Sequence, residues 1–436
     1  MSETILPLAM AALTLTGILA GYRVGMVLAG SAALFILASD LPTAFFNLLV
    51  SRIYANVLSN WLLVAIPMFI LMGLILEISG VAERSLRAAQ RALGGSAAGM
   101  GVSVLVIGVL LAASSGIVGA SVVLLALLAL PRLEEAGYDK PTSAGLVAAS
   151  GTLAILIPPS VMLIVLGDQM QTPVPDMFAG AIGPGLMLVV IYAVYVTWRA
   201  RGLPAMPKVD RVSPLRLLLD LGPLLALVIS VLGSIIAGIA TPTEASGLGA
   251  FGAVVITILY RQFSFKMLIE AAKKTVITTS VVLFVMIGAT CFSAVFKGVG
   301  GDDLVEAGIM AFGTEPYTVL AVVMVAIFLL GFVLDWLEIT LILMPIFAPI
   351  VASLDFGNGL AGSDLLVWFG ILVAVNLQTS FLTPPFGFSL FYLRGAAGDR
   401  LTTPQIYKGV APFIALQVVV LVLLILFPWL ITGFTS

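Results

Sequence analysis

Two short segments carry the residues best suited to bind an ion and a charged solute. Residues 150–159 read Ser-Gly-Thr-Leu-Ala-Ile-Leu-Ile-Pro-Pro, and residues 376–385 read Asn-Leu-Gln-Thr-Ser-Phe-Leu-Thr-Pro-Pro. Adjacent prolines remove backbone donors and clash with the preceding turn, so a helix must unwind there. Unwound carbonyls suit a hard cation such as Na⁺, and the next helix N-terminus suits an anion. One such motif is equally typical of a structural kink, whereas two matched copies favour a binding site.

Three acidic residues are further candidates, because ionisable groups inside a membrane are costly and usually functional. Asp335 and Glu338 are three positions apart and can share one helical face. We expect them to coordinate a cation or to form a gate that senses protons. Asp335 is also well placed to cap the helix that follows it. Asp168, near the end of the first Pro-Pro segment, either closes a gate or marks the exit into solvent.

The composition requires a membrane as the solvent for most of the chain. Of its 436 residues, 61% are hydrophobic and 10% are charged, against about 45–50% and 25% in soluble proteins. The net charge of −2 leaves no basic surface for nucleic acid. Histidine is absent and Cys291 is the single cysteine, which excludes histidine catalysis, histidine metal ligands and an internal disulfide. We expect no enzyme activity, no transition metal and no organic cofactor.

Apolar segments long enough to cross a bilayer, about 20 residues each, divide the chain. The predicted spans are 4–21, 24–39, 57–79, 142–166, 176–198, 217–239, 244–260, 276–296, 364–393 and 404–431. The Pro-Pro pairs make 142–166 and 364–393 broken helices. Two other stretches, 96–131 and 316–352, are too long for one span. They are interrupted by Ser114-Ser115-Gly116 and by Leu-Asp-Trp-Leu-Glu at 334–338. We predict a re-entrant hairpin for each.

The basic residues support this topology. With the N-terminus outside and each hairpin returning to its own side, 18 of the 20 Lys and Arg residues face the cytoplasm. Only Arg52 and Lys297 fall on the outer side, as the positive-inside rule requires. A single crossing by either hairpin would invert everything downstream and weaken the bias. We predict a multi-pass membrane protein with both termini on the outer side of the membrane.

The order hairpin, broken helix, helix occurs twice, with opposite orientation in the membrane. Pro158 and Pro384 are 226 positions apart, and Gly180 and Gly409 in the following matched runs are 229 apart. Inverted repeats with unwound helices near the midplane are typical of secondary transporters. The predicted fold class is therefore an all-α polytopic membrane protein built from an inverted repeat with two re-entrant helical hairpins and two broken helices.

Three motifs resemble the large membrane subunit of the tripartite ATP-independent periplasmic (TRAP) transporters. They are Ser-Gly-Ile-Val-Gly-Ala-Ser at 115–121, the segment 145–160 that ends in Ile-Pro-Pro-Ser, and Leu-Asp-Trp-Leu-Glu-Ile at 334–339. The resemblance covers essentially the whole chain. It implies an elevator-type fold in which a transport domain slides against a scaffold. The implied scaffold comprises 1–80 and 199–275, and the implied transport domain comprises 81–198 and 276–436. Amphipathic segments 81–93 and 262–274 are predicted as interfacial helices that link the two.

The same resemblance implies a function and partners. Members of the family take up organic acids across the bacterial inner membrane, driven by a sodium gradient rather than ATP. A periplasmic binding protein delivers the substrate, and a small four-helix membrane subunit supports the large one. The implied substrate is a small carboxylate, such as a 2-oxo or hydroxy acid. The chain also lacks a phosphate-binding Gly-rich loop followed by Lys-Ser or Lys-Thr.

The resemblance also implies sodium sites where each hairpin tip meets the break in its broken helix. By motif position, the sodium ligands are expected among Ser114, Ser115, Gly116, Ser150, Gly151, Thr152, Pro158, Leu334, Asp335, Gln378, Thr379, Thr383 and Pro384. We expect the substrate to contact Ser115, Thr152, Gln378 and Thr379. Glu338 and Asp168 are expected to act in gating or cation sensing.

Two other functions remain open from the sequence. One is a stand-alone sodium/dicarboxylate symporter or cation/proton antiporter of related fold, which would work without a binding protein. The other is an intramembrane enzyme, for which Asp335 and Glu338 are the candidate pair of acids. The absence of histidine and of a second cysteine disfavours the enzyme.

Overall fold

The chain forms helices because a helix satisfies the backbone hydrogen bonds of a long apolar run within the run itself, as lipid requires. A computed structural model describes residues 2–39, 41–42, 44–93, 95–115, 118–204, 213–357 and 359–435, and these residues include no β-strand. In chain order the α-helices are α1 (Ser2–Leu19), α2 (Val24–Ala38), α3 (Ala44–Ile53), α4 (Ala65–Ile78), α5 (Val81–Leu93), α6 (Ala97–Ser115), α7 (Val118–Glu135), α8 (Lys140–Thr152), α9 (Val161–Met170), α10 (Val174–Arg199), α11 (Pro214–Ile236), α12 (Pro242–Leu259), α13 (Phe265–Gly298), α14 (Gly301–Met310), α15 (Pro316–Leu330), α16 (Trp336–Ala352), α17 (Gly362–Leu382), α18 (Phe388–Ala397), α19 (Thr403–Leu426) and α20 (Trp429–Thr432).

Seven helices among the described residues are long and apolar enough to cross a membrane. They correspond to α10, α11, α12, α13, α17, α19 and the unit Trp61–Ile78, in which a 3₁₀ turn leads into α4. The predicted spans at 4–21 and 24–39 form the shorter helices α1 and α2. At 1.5 Å per residue, the 15 residues of α2 extend about 22 Å, which is less than the roughly 30 Å hydrocarbon core.

Both predicted hairpins are present. Helices α6 and α7 pack against each other, as do α15 and α16. In the second hairpin the helix stops at Leu330, and Asp335 begins the return arm as the N-cap of α16. Trp336 and Glu338 therefore belong to the first turn of α16 rather than to an open tip.

Both predicted broken helices are confirmed as well. Helix α8 ends at Thr152, passes through a 3₁₀ turn at Leu153–Ile155, and resumes as α9 at Val161. Helix α17 ends at Leu382 and resumes as α18. The peptide bond within each Pro-Pro pair is cis. The two broken helices form the centre of the molecule, since nearly every residue of α17 after Leu365 and every residue of α8 after Pro141 is buried.

The helices pack as two groups, which contact each other where α4 packs on α6, α13 on α16 and α11 on α10. The first helix group is α1, α2, α4, α11, α12 and α13, in which α4 packs on α12 and α13 packs on α2 and α4. The second helix group is α6 to α10 and α15 to α19, in which α8 packs on α7 and α19. Helix α5 contacts both α6 and α11. Its Arg84 forms an ion pair of 2.6 Å with Asp220 of α11.

The structure differs from the sequence interpretation at 262–274. That segment is not a separate interfacial helix, because α13 runs without interruption from Phe265 to Gly298 over 34 residues. The side chain of Ser264 caps its start by accepting a hydrogen bond from the Met267 N–H. No glycine or proline occurs between Phe265 and Ile287 to end the helix after its amphipathic first turns.

Candidate functional site

The Pro-Pro pairs interrupt both helices in the same way. In a regular helix the carbonyls of Ile155 and Phe381 would accept from the second proline of each pair, which has no N–H. A serine hydroxyl replaces the missing donor in each repeat: Ser160 Oγ donates to the Ile155 carbonyl at 2.8 Å, and Ser389 Oγ donates to the Phe381 carbonyl at 2.6 Å. Ile155 and Phe381 are 226 positions apart, the same spacing as the prolines. The two breaks are thus matched in their hydrogen bonds.

The two breaks meet at the centre of the fold. Gln378 Nε2 of α17 donates to Thr152 Oγ1 of α8 at 3.4 Å. Both residues are fully buried, and they too are 226 positions apart. Each therefore occupies the equivalent position of its repeat. The sequence placed both residues in a substrate site, and the structure brings them into direct contact.

Each hairpin closely approaches the broken helix of its own repeat. A Cβ atom added to Gly151 would overlap the side chain of Val122, one turn into α7, and would lie only 3.1 Å from the Val122 backbone. A Cβ added to Gly331, next to the tip of the second hairpin, would overlap the side chain of Ser380. Such close packing places the hairpin backbones beside the unwound segments, as the predicted sites require.

Oxygen atoms without partners lie at two of the predicted positions. Ser150 Oγ and Gln378 Oε1 are shielded from solvent and have no hydrogen-bond partner among the described residues. An unsatisfied buried polar atom costs roughly 1–3 kcal/mol. Oxygen donors of this kind fit a sodium ion better than a transition metal, and no cluster of acidic, histidine or cysteine side chains suited to a transition metal occurs in the described chain.

The other predicted residues of the second repeat lie around the same break. Thr379 Oγ1 donates to the Val375 carbonyl and Thr383 Oγ1 to the Thr379 carbonyl, each at 2.8 Å. Pro384 lies in the turn between α17 and α18, just as Pro158 lies between α8 and α9. Asn376, which the sequence interpretation passed over as a ligand, donates to the Met324 carbonyl of α15 at 2.7 Å and ties the hairpin to α17.

The second hairpin places its acidic residues at the start of α16. Leu334 is buried beside Asp335, whose Oδ1 accepts from the Trp336 N–H at 2.8 Å. This hydrogen bond confirms the capping role of Asp335. Glu338 Oε2 is buried and has no hydrogen-bond partner among the described residues. Its role in gating stays a prediction.

The tip of the first hairpin is only partly described. Gly116 lies outside the described residues, and so do the side chains of Ser114 and Ser115. The backbone of α6 extends as a helix to Ser115, and α7 begins at Val118. Ser114 and Ser115 thus form the end of α6, and the predicted ligands of this hairpin tip stay predictions.

Asp168 joins the two helix groups. Its Oδ1 accepts from Asn60 Nδ2 at 2.6 Å, and its Oδ2 accepts from Gln169 Nε2 at 2.8 Å. Asn60 precedes the 3₁₀ turn that leads into α4 of the first group, whereas Asp168 is part of α9 in the second group. The residue therefore links the two groups, and sequence spacing alone held no signal for its partner 108 positions away.

The matched hairpins, matched breaks and central contact define an inverted-repeat membrane transporter. A family model described as "Tripartite ATP-independent periplasmic transporter, DctM component" matches residues 8–430. The chain belongs to this family, as the motifs at 115–121, 145–160 and 334–339 indicated.

Relatives of known name support this assignment. The ectoine TRAP transporter large permease protein TeaC of Halomonas elongata is 31% identical over 431 residues, covering 95% of this chain and 97% of TeaC. The C4-dicarboxylate TRAP transporter large permease protein DctM of Pseudomonas aeruginosa is 29% identical over 376 residues, or 85% of each chain. In the fold comparison, the crystal structure of the Alcanivorax borkumensis YdaH transporter, described as having an unusual topology, aligns with a TM-score of 0.65. That alignment covers 99% of this chain and 100% of YdaH at 15% identity, and so bears on the fold alone.

Proposed function

We propose that this permease takes up a small organic acid across the bacterial inner membrane, coupled to sodium entry. A periplasmic binding protein delivers the acid, a small four-helix membrane subunit supports the chain, and both termini face the periplasm. The observation that carries the proposal is the contact between Thr152 and Gln378. It joins equivalent positions of two inverted repeats, the last residue of α8 and a residue one turn before the end of α17. Such folds bind solute and ion near the breaks in their helices.

Sodium coupling is supported by buried oxygen atoms near the breaks that can coordinate a cation. Ser150 Oγ and Gln378 Oε1 are buried oxygens with acceptor capacity to spare. The N-terminus of each resumed helix, α9 and α18, presents amide groups and a positive dipole end that suit a carboxylate. A sodium ion beside the carboxylate would offset its charge during the crossing, since an unpaired charge is costly in hydrocarbon.

An elevator movement is supported by the arrangement of the helices in two groups, each with its own internal packing. We assign the second helix group to the transport domain and the first to the scaffold. In this assignment α13 belongs to the scaffold, because it packs on α2 and α4, although the expected boundary near 275 would give its outer part to the transport domain. Helix α5 is the arm between them, held to α11 by the Arg84–Asp220 ion pair.

The substrate class is a carboxylate or a related polar acid. Named relatives include permeases for C4-dicarboxylates, for ectoine and for 2,3-diketo-L-gulonate. The substrates in these three names each carry a carboxylate and otherwise differ in size and charge. A panel of pyruvate, lactate, succinate and 2,3-diketo-L-gulonate therefore samples the chemistry that the site must accept.

The test is uptake into proteoliposomes. The chain and its small subunit are reconstituted, the binding protein is added with each radiolabelled acid, and an inward sodium gradient is imposed. Uptake that needs both sodium and the binding protein supports the proposal. Uptake that needs sodium but not the binding protein indicates a stand-alone symporter. Uptake that does not depend on the sodium gradient contradicts the proposed coupling.

A matched pair of substitutions ties the result to the site. Thr152→Val removes the oxygen that accepts from Gln378 while keeping the side-chain volume, and Thr152→Ser keeps that oxygen. We expect Thr152→Val to lower sodium-dependent uptake about tenfold, the scale of a lost buried hydrogen bond. Thr152→Ser should stay close to the unaltered protein. Equal uptake by both variants would remove Thr152 from the proposed site.

A further inference from the structure

A polar cavity brings together the two basic residues that the topology assigns to the outer side. Arg52 and Lys297 are 245 positions apart in the sequence, yet both line one cavity of about 420 Å³. Pockets that bind small molecules span roughly 300–1,000 Å³. The cavity lies between the two helix groups, with walls from α3 and the π-helical turn after it, from α9, from α13 and from α16.

A gap in the hydrogen bonds of α16 positions Lys297. Pro345 and Pro349 are four residues apart, so the Pro345 carbonyl lacks the N–H that an α-helix normally supplies. Lys297 Nζ donates to this carbonyl at 3.0 Å. The ammonium group is thereby held at the cavity wall. An ammonium group has three N–H donors, so two remain for another acceptor.

The positive charges of the cavity are not neutralised by the protein. Within the described parts of the chain, neither Arg52 nor Lys297 has a carboxylate within 4.0 Å. Asp168 is the acidic residue in the lining, and amide groups of Asn60 and Gln169 already donate to its two oxygens. Two cations and one carboxylate leave the lining with a net positive charge.

The rest of the lining supplies neutral hydroxyl and amide groups beside the cations. Thr290, Ser293 and Lys297 lie on one face of α13, because their spacing of three and four follows the helical repeat. Asn56 faces the same cavity from the opposite wall. Hydroxyl and amide groups that share a cavity with two cations suit the oxo, hydroxyl or second acid group of a small organic acid.

We propose that this cavity is an outer binding site for a small organic anion. Arg52 and Lys297 bind its carboxylate, and Asn56, Thr290 and Ser293 bind its remaining polar groups. The role rests on the proposed uptake function, in which this end of the protein faces the periplasm. The cavity shares only Asp168 with the predicted sites. An acid released by the binding protein is held here before it reaches the two helix breaks.

A thiol introduced into the cavity measures its charge directly. In a Cys291→Ala background, Ser293→Cys is reacted in nanodiscs with anionic 2-sulfonatoethyl methanethiosulfonate and with its cationic trimethylammonium counterpart. Arg52→Gln together with Lys297→Gln should lower the ratio of anionic to cationic rates at least about tenfold, since focused charge changes encounter rates by ~10–10³. Lys266→Gln, which removes a charge from the other end of α13, is the control and should leave the ratio unchanged.

Protection by a ligand tests binding rather than charge alone. Potassium pyruvate and potassium succinate are added before neutral N-ethylmaleimide, with potassium chloride at equal ionic strength as the control. The proposal requires that at least one acid slows modification of the introduced thiol and that Arg52→Gln with Lys297→Gln abolishes this protection. An unchanged rate ratio in the double variant, or no protection by either acid, overturns the outer site.

These measurements separate the outer site from the proposed function. Both thiol assays work without sodium, binding protein or transport, so a permease that fails to take up any acid still reports on the cavity. In a permease that does transport, Arg52→Gln with Lys297→Gln should raise the half-saturating concentration of substrate about tenfold. The dependence on sodium should stay as it was, because the helix breaks are unaltered.

Discussion

Asp335 combines two physical roles at the tip of the second hairpin. Its carboxylate oxygen accepts from the Trp336 N–H and so caps α16. The same group places a negative charge in an apolar hairpin, which is costly unless a cation shares the site. Capping needs only an oxygen acceptor, whereas attraction of sodium needs the charge. The two roles can therefore be separated by substitution.

Asp335→Asn keeps the acceptor and removes the charge, while Asp335→Ala removes both. We expect sodium-dependent uptake to fall in each variant. Only Asp335→Ala should also lose stability, by about 1 kcal/mol for the lost cap. Uptake at varied sodium and the midpoint of thermal unfolding in detergent measure the two effects. Normal sodium dependence in Asp335→Asn would contradict a role for the charge.

Most residues at the centre could be predicted from the sequence because the prolines repeat at a fixed spacing. That spacing leads directly to Thr152 and Gln378. It does not lead to the serines that complete the breaks, since Ser160 and Ser389 are 229 rather than 226 positions apart. Each donates to an equivalent carbonyl from a different distance along the chain. The equivalent hydrogen bonds depend on the geometry of each loop, which an alignment of the two repeats by sequence position does not reveal.

At the scale of elements, α8 and α19 of the second helix group cross with their backbones in close contact. A Cβ added to Gly145 would overlap the backbone of Gly409, and one added to Gly409 would overlap the carbonyl of Pro141. Small residues at helix crossings let backbones approach closely, which is how membrane helices gain packing energy. This crossing fixes the first broken helix against the helix that follows the second.

Gly145→Ala should therefore be destabilising although alanine is the better helix former. The methyl group must push the two backbones apart, at a typical cost of about 1–3 kcal/mol. Gly233→Ala in α11 is the control, since nothing lies within 4 Å of a Cβ built there. It should be neutral or stabilising. A midpoint of thermal unfolding for Gly145→Ala at or above that of Gly233→Ala would contradict the packing interpretation.

The elements themselves follow from the sequence where a breaker or a cap marks an end. Hairpins and broken helices were predictable because Pro-Pro, Ser-Ser-Gly and Asp335 interrupt apolar runs. The continuity of α13 could not be predicted in this way. The amphipathic pattern of 262–274 is equally typical of an interfacial helix and of the first turns of a longer helix. Packing of α13 on α2 and α4 stabilises the longer helix.

At the scale of the whole molecule, the predicted distribution of basic residues across the membrane singles out Arg52 and Lys297. In the predicted topology, the positive-inside rule accounts for 18 basic residues and leaves Arg52 and Lys297 unexplained. Both occur in the cavity between the helix groups. The sequence thus identified the exceptions, but only the fold shows that they line one cavity. Their proximity depends on the packing of α3 against α13, two helices that are distant in the chain.

The contact between Asn60 and Asp168 offers a direct test of movement between the groups. In a Cys291→Ala background, Asn60→Cys with Asp168→Cys is joined by a short bis-methanethiosulfonate reagent. If the second helix group slides as a transport domain, the link should abolish uptake and dithiothreitol should restore it. Thr14→Cys with Ser31→Cys, whose native hydroxyls are 3.1 Å apart within the first group, is the matched control and should transport when linked. Undiminished uptake by the linked Asn60 and Asp168 variant would mean that these segments stay together throughout the cycle, which an elevator does not permit.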